Sequence, residues 1–377
     1  MKNEFKIILT TNFGLEAVLK RELNELGYED LTTSNGRVSL KGSLRDVAIL
    51  NLWIRTAERV LIEIDSFRAE SFEDLFNETH KIKWEEYISK NGNFIVNGRS
   101  HKSKLFSVSD CQRIVEKAII KRLGAYYDID YFTKSSERYK LEVSLLNDIA
   151  TITLDTSGEG LHKRGYRQRN FKAPISETIA AAMVLLSYWN EKRTLWDPFC
   201  GSGTILIEAA MIGKNIAPGI NRKFDIEEFM FMDKEIFKEE RKRCYSSIFY
   251  DKELSIYGTD ISYKAIEIAR ENAEILGLEE DIKFFVKDIK DLDMPDDYGV
   301  IITNPPYGVR IGEDSEVIEL ERELGKLYKS LKTWSLYAIS ADEKFEKNFS
   351  KKSDRNRKLY NGRLKTYLYQ YFGPRPN

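Results

Sequence analysis

Late in the chain an apolar run, Val300-Ile301-Ile302-Thr303, leads into Asn304-Pro305-Pro306-Tyr307-Gly308. This combination suits one kind of chemistry. The exocyclic amine of a nucleobase is a poor nucleophile, because its lone pair is delocalised into the ring. Two acceptors that hold its hydrogens turn that lone pair towards an electrophile. The Asn304 side-chain oxygen and the Pro305 carbonyl supply such a pair. Pro306 stiffens the turn, and Tyr307 offers a face on which a base can stack. The bland alternative is a proline-rich turn with no chemical role.

A second group lies about a hundred residues earlier, in Asp197-Pro198-Phe199-Cys200-Gly201-Ser202-Gly203-Thr204. The glycines let backbone approach a ligand closely. The helix that should follow offers free N–H groups to a carboxylate, and Asp197 can meet an ammonium group. An amino-acid moiety carries both charges, and so does the methionine part of S-adenosylmethionine. A plain βα turn is the competing reading. A dinucleotide fingerprint fits less well, because the third glycine of its pattern is absent. Gly258-Thr259-Asp260 ends another strand pattern, and Asp260 can accept both ribose hydroxyls. It lies 59 residues after Gly201 (260 − 201), with a charged helical stretch between them. Asp288 closes a further strand pattern and can accept from an adenine amine, although a solvated turn acid has the same appearance.

These groups need strand ends to hold them. From residue 173 onward strands and helices alternate: a helix opened by Pro174 and Ser176 and running to about 190, the strand at 194–197, a helix from 204, and a charged helix over 226–250. Then come a strand at 255–260, a helix over 262–276, strands at 282–288 and 298–304, a helix over 316–331, and two closing strands. That pattern predicts a doubly wound, mostly parallel sheet, a Rossmann-like α/β domain. Residues 1–65 form a first domain that reads βαββαβ, which is ferredoxin-like. Residues 66–157 are mixed α+β, with a helix over 72–89, one capped by Ser109, and two strands around Asn147-Asp148. A basic linker, 158–172, joins them to the domain at 173–377.

Composition narrows the setting. The 377 residues are 42% hydrophobic and 32% charged, so the chain is globular and multidomain. The 59 Lys and Arg nearly balance 60 Asp and Glu, so any nucleic-acid site must be local. Residues 97–122 hold seven basic and two acidic residues; 162–172 hold five basic and none acidic. Cys111, Cys200 and Cys244 form no CxxC, and three scattered histidines form no ligand cluster, which argues against a disulfide framework or metal site. The N-terminus lacks a signal-peptide core, and the longest apolar helical run, 179–189, is too short to span a bilayer. A cytoplasmic setting is expected, with no membrane and no metal.

DPFCGSGT, GTD and NPPYG together resemble the class I amino-methylating methyltransferases. With GLHKRGYR just upstream and a THUMP-like region before it, nearly the whole chain resembles the THUMP-domain RNA guanine-N2 methyltransferases, most of all the bacterial 23S ribosomal RNA enzymes. The resemblance implies a ferredoxin-like domain, a THUMP domain and a Rossmann-like catalytic domain. It also implies S-adenosylmethionine as cofactor and structured RNA, ribosomal above all, as partner. The cofactor contacts expected are Asp197, Phe199, Cys200, Gly201, Ser202, Gly203, Thr204, Asp260, Ile261, Asp288 and Ile289. Asn304, Pro305 and Tyr307 are expected to be catalytic, and Lys102, Lys104, Arg164, Tyr166 and Arg167 to touch RNA. Some relatives carry a second methyltransferase module downstream; none follows here, so a second activity is not expected.

A transfer-RNA guanine-N2 methyltransferase fits almost as well. A DNA adenine-N6 enzyme would share the NPPY chemistry but would carry a target-recognition domain. Glutamine methylation leaves the basic N-terminal half unexplained. Carbon-5 pyrimidine methylation needs a cysteine nucleophile, and Cys200 is wrongly placed. An RNA-binding module with a vestigial cofactor fold would not need both chemical motifs.

Overall fold

The structure, a computed structural model, describes residues 4–375 apart from 131, 133–135, 168, 170–174, 296–297, 307–313 and 363. Tyr307, Phe171 and Pro174 therefore lie outside the described residues.

The first six elements are β1 (Phe5–Thr11), α1 (Glu16–Glu25), β2 (Thr32–Ser34), β3 (Arg37–Gly42), α2 (Leu44–Trp53) and β4 (Ala57–Arg68), in the ferredoxin-like order. α2 starts at a reciprocal cap: Asp46 N–H donates to the Ser43 hydroxyl, and Ser43 N–H donates to the Asp46 carboxylate at 2.7 Å. Then follow α3 (Phe72–Lys81), β5 (Asn93–His101), α4 (Val108–Tyr127), β6 (Arg138–Leu146) and β7 (Ile149–Asp155). β6 and β7 turn at Asn147 (φ 50°) and Asp148 (φ 62°), two left-handed residues that match the twist of a tight hairpin.

These strands form one sheet in the order β2-β3-β1-β4-β7-β6-β5. β4 is the reason. Its first half pairs with β1 and its second half with β7, so twelve residues serve both units, and position 65/66 falls inside a strand. The helix expected over 72–89 stops at Lys81: Ile82 turns extended and buried Trp84 starts a separate 3-10 turn, its indole N–H donating to the Thr79 carbonyl at 2.8 Å. The residue at the start of α4 is Ser107, two positions before Ser109, and its side chain makes no capping hydrogen bond.

The second half contains α5 (Glu177–Leu186), β8 (Leu195–Asp197), α6 (Thr204–Gly213), α7 (Lys234–Ser246), β9 (Ile256–Asp260), α8 (Tyr263–Glu274) and β10 (Ile282–Val286). It continues with β11 (Val300–Thr303), α9 (Asp314–Ser330), β12 (Ser335–Ser340), α10 (Phe345–Phe349), β13 (Arg355–Asn361) and β14 (Leu364–Tyr371). The sheet order is β10-β9-β8-β11-β12-β14-β13, parallel except for β14, which runs antiparallel to both neighbours. From β8 the chain winds outward through β9 and β10, then crosses to β11 on the other side. The strand order thus reverses between β8 and β11, where open α/β sheets form their ligand crevice. The helix expected over 226–250 is broken: a 3-10 turn at Asp225–Glu228 comes first, and α7 starts only after its cap, Asp233.

The linker corrects an expectation. Arg164 and Tyr166 do not face RNA; both are buried. The Arg164 guanidinium donates to the Arg55 carbonyl at 2.5 Å and lies 3.4 Å from Glu208 of α6. Tyr166 donates to the same glutamate at 3.2 Å. Arg167 also turns inward, donating to the Ile175 carbonyl (2.9 Å) and the Thr204 hydroxyl (2.8 Å). An arginine and a tyrosine in a basic sequence look like a nucleic-acid patch. Here a buried glutamate on another element draws them in, and they bind the two halves together. Removing one member of a buried ion pair leaves the other uncompensated. Arg164→Ala is expected to lower unfolding stability by about 3–5 kcal/mol, measured by denaturant titration, with no change in the salt dependence of RNA binding.

Candidate active site

β8, β9, β10 and β11 lie side by side, and each ends in one of the sequence-derived groups. The crevice is built where β8 and β11 part. There the Thr303 hydroxyl donates to Asp197 Oδ1 at 2.6 Å, and the Phe199 N–H donates to the same oxygen at 3.1 Å. Asp197 is fully buried. Desolvation pushes its carboxyl up to about 7, against those two hydrogen bonds, with a smaller push from the Asp260 charge.

The loop after β8 folds tightly. Cys200 N–H donates to the Thr259 carbonyl (2.9 Å), and Gly203 N–H to the Cys200 carbonyl (2.8 Å). Gly201 (φ 52°) and Gly203 (φ 80°) are both left-handed. A side chain at Gly201 would meet open space, so there backbone conformation, together with free room for a ligand, selects glycine. Ser202 and Thr204 are buried, and the Asn272 amide donates to the Ser202 carbonyl at 3.1 Å. Gly203 leaves the start of α6 without a side-chain cap, so its first N–H groups remain available to an anion. Cys200 is buried, and burial holds its thiol well above the usual range, which removes it as a nucleophile.

Asp260 is held from both sides, accepting from Gly201 N–H (3.0 Å) and Ser262 N–H (2.9 Å). Burial raises its carboxyl pKa too. Ile261 beside it is 72% exposed, an apolar surface open to a planar ligand. Asp288 follows the β10 residues that pair with β9. It accepts the Lys290 N–H at 3.0 Å as the cap of a short turn whose first residue, Ile289, is buried.

Asn304 continues directly from β11. Its Oδ1 is buried and has no hydrogen-bond partner among the described residues. The reason is local. An asparagine oxygen usually accepts from the N–H two residues on, but positions 305 and 306 are both proline and carry no N–H. Neither proline of the motif can therefore satisfy this acceptor.

Sequence reasoning missed Thr303 and Asn272. Each left a signal: Thr303 is the one polar residue ending an apolar run, and Asn272 lies on the buried stripe of α8 with Ala265, Ile268 and Ala269. Of the expected RNA contacts, Lys102 is exposed and left-handed (φ 50°), and Lys104 is exposed but paired with Glu70. Neighbouring Phe106, which sequence reasoning did not single out, is 83% exposed. Among the described residues no cluster of His, Cys, Asp or Glu is placed to hold a metal ion, and no helix is long and apolar enough to cross a membrane.

Residues 164–370 match the RMKL-like methyltransferase domain, 6–61 the RlmL ferredoxin-like domain, and 69–155 the THUMP domain. The chain belongs to the RMKL-like methyltransferase family. YpsC of Bacillus subtilis (strain 168), provisionally named an RNA methyltransferase, is 44% identical over 371 residues, 98% of this chain and 96% of that protein. The ribosomal RNA large subunit methyltransferase K/L of Shewanella baltica (strain OS155) is 33% identical over 361 residues, 93% of this chain but 50% of that protein. The chain thus spans about half the length of that relative. The crystal structure of SMU.472, described as a methyltransferase by assignment and complexed with SAH, has a TM-score of 0.93 and 42% identity, with 100% of both chains covered.

S-adenosylmethionine is the cofactor, and the site fits it. Among the described residues neither Asp197 nor Asp260 is paired with a cation, the first turn of α6 has no side-chain cap, and Gly201 borders open space. Asp197 would face the ammonium group, the α6 N-terminus the carboxylate, and Asp260 the ribose. This assignment has a pH signature. With its pKa near 7, Asp197 is neutral below that pH and cannot hold an ammonium strongly. Affinity for S-adenosylhomocysteine is therefore expected to be on the order of five- to tenfold weaker at about pH 6 than at about pH 7.5, where the ligand amine is still mostly protonated. Unliganded stability moves the other way, falling as pH rises from the ordinary aspartate value towards 7. Calorimetric titration of wild type and Asp197→Asn checks this. The same pH profile in both would remove Asp197 from the ammonium site.

Proposed function

We propose that this chain transfers a methyl group to the exocyclic N2 of a guanine in 23S ribosomal RNA. The observation that carries the reading is the buried Oδ1 of Asn304 at the crevice, which has no partner among the described residues. A neutral acceptor there fits a neutral amine, and it would be poorly matched to a thiol or a ring carbon. The match to the THUMP domain and the ribosomal RNA name of the K/L relatives support RNA and the large subunit as the target.

The mechanism uses orientation rather than acid–base chemistry. Asn304 Oδ1 and the Pro305 carbonyl each accept one amine hydrogen, which turns the lone pair towards the cofactor crevice. The bound sulfonium supplies an activated methyl group. As N2 takes the methyl group and gains positive charge, the same two oxygens stabilise it without reorganising, and the surplus N2 proton then leaves to water. Thr303 fixes this end of β11 through Asp197, so the base side and the cofactor side share one anchor. Tyr307 would stack on the flipped base. Lys102, Lys104 and Phe106 form an exposed basic and aromatic loop suited to RNA phosphates and bases.

An adenine amine would satisfy Asn304 equally, and transfer RNA would suit a THUMP-containing chain, so the product decides. Mass mapping of modified nucleosides from a strain lacking this gene is expected to show loss of one N2-methylguanosine from 23S ribosomal RNA. Loss from transfer RNA, or loss of N6-methyladenosine from any nucleic acid, would overturn the assignment.

A further inference from the structure

A cleft of ≈ 860 Å³ lies where α1 meets the far side of the catalytic sheet. Its lining includes Arg21 of α1, Tyr188 just after α5, Arg355 and Arg357 of β13, and Phe372 and Arg375 after β14. Ser335, the first residue of β12, also lines it. Ser335 and Tyr337, which also lines the cleft, pair with Val300 and Ile302, so the lining lies two to four residues back from Asn304 along the strands. At ~3.3 Å per residue that is roughly 7–13 Å, towards the end of the sheet away from the cofactor loop.

The charge of this cleft is out of keeping with the rest of the molecule. Basic and acidic residues balance overall, and many surface cations are paired, as in Arg45 with Glu239 and Glu240, or Arg122 with Glu85. Here four arginines meet and, among the described residues, no acidic residue lines the wall, although Arg21 is paired with Glu25 beside it. Arg21 donates to the Leu185 carbonyl at 2.6 Å, and Arg357 to the Gly14 carbonyl at 3.2 Å. Those bonds aim the guanidinium groups without neutralising them. The nearby acids are Glu25, 3.8 Å from Arg21, and Glu16, which is committed to the N–H groups of Gly14 and Gly36. Arg357 is partly desolvated, and burial first, then the charges of Arg355 and Arg21, lower its pKa.

The aromatic lining points the same way. Tyr188 is 68% exposed with φ 56°, a left-handed conformation that bulky residues rarely adopt. The chain accepts that strain at the rim of the cleft. Phe372 is 46% exposed. Guanidinium forks match phosphate oxygens in pairs, and exposed rings stack on unpaired bases.

We propose that this cleft binds a single-stranded segment of the RNA substrate, phosphates on Arg355 and Arg357 and a base on Tyr188, remote from the methylated nucleotide. The proposal rests on the reading of RNA as substrate. A protein that anchors RNA at both ends of one sheet selects its target partly by the spacing between them.

The test is fluorescence-anisotropy binding of a 23S ribosomal RNA fragment across a salt series. Arg355→Gln/Arg357→Gln is expected to weaken binding about tenfold or more and to flatten the log-affinity against log-salt slope by about 1.4, which is two single-strand phosphate contacts. Affinity for S-adenosylhomocysteine and the single-turnover rate at saturating RNA should stay at wild-type values. Arg355 is exposed and makes no side-chain bond or ion pair among the described residues. Arg355→Glu therefore serves if the double variant folds poorly, with the same direction expected. An unchanged slope in Arg355→Glu overturns the cleft even if the RNA is methylated. RNA binding that depends on Arg355 without methylation of any RNA would instead sink the reading of the active site. A mononucleotide that needs Arg355 while RNA binding ignores it would assign the cleft to a small ligand and overturn the proposal.

Discussion

A buried hydrogen-bond acceptor with no donor among the described residues is the constraint on which the catalytic half depends. An unpaired buried acceptor costs about 1–3 kcal/mol, and a flexible segment would relax to satisfy it. The strand before this one is held in place. β11 is buried along its length and paired with β8 and β12. Thr303 has committed its hydroxyl to Asp197, and the next two residues carry no N–H. The frustrated group is therefore kept at the crevice by packing that lies behind it, and an incoming amine is the natural way to complete it.

The same logic governs the charges. Asp197 and Asp260 lie at one crevice, both raised by desolvation and Asp197 further by the charge of Asp260, so a bound cation offsets the cost of keeping them charged. Arg164 and Glu208 show the opposite case, a buried charge that already has an opposite charge beside it, with Glu208 Oε1 3.4 Å from the guanidinium, and its role is to hold the linker against α6. Comparing the two separates a charge kept for a ligand from a charge kept for the fold.

Much of the site was legible because its chemistry is concentrated in short runs at strand ends. Asp197, Gly201, Gly203, Asp260 and Asn304 could be picked out, and their gathering followed from the alternation of strands and helices. The sequence could not reveal where long side chains turn. Arg164, Tyr166 and Arg167 sit in a basic stretch, yet Glu208 and Thr204, more than thirty positions away, capture them. β13, with RNRKLYN, is a charged edge strand without alternation, and α10 is five residues long, so neither carried a periodic signal. The single sheet running through the first half was hidden for a related reason: a long strand shared by two units looks, in sequence, like the end of one and the start of the next.

Methyl transfer by Asn304→Ala tests the central claim most directly. Single-turnover methylation of RNA at saturating cofactor should fall by about 10²-fold, the effect of losing a preorganised polar group. Affinity for S-adenosylhomocysteine should remain as in wild type, because Asn304 is assigned to the base and not to the cofactor. A wild-type rate in the folded variant would show that the unpaired oxygen of Asn304 does not orient the amine.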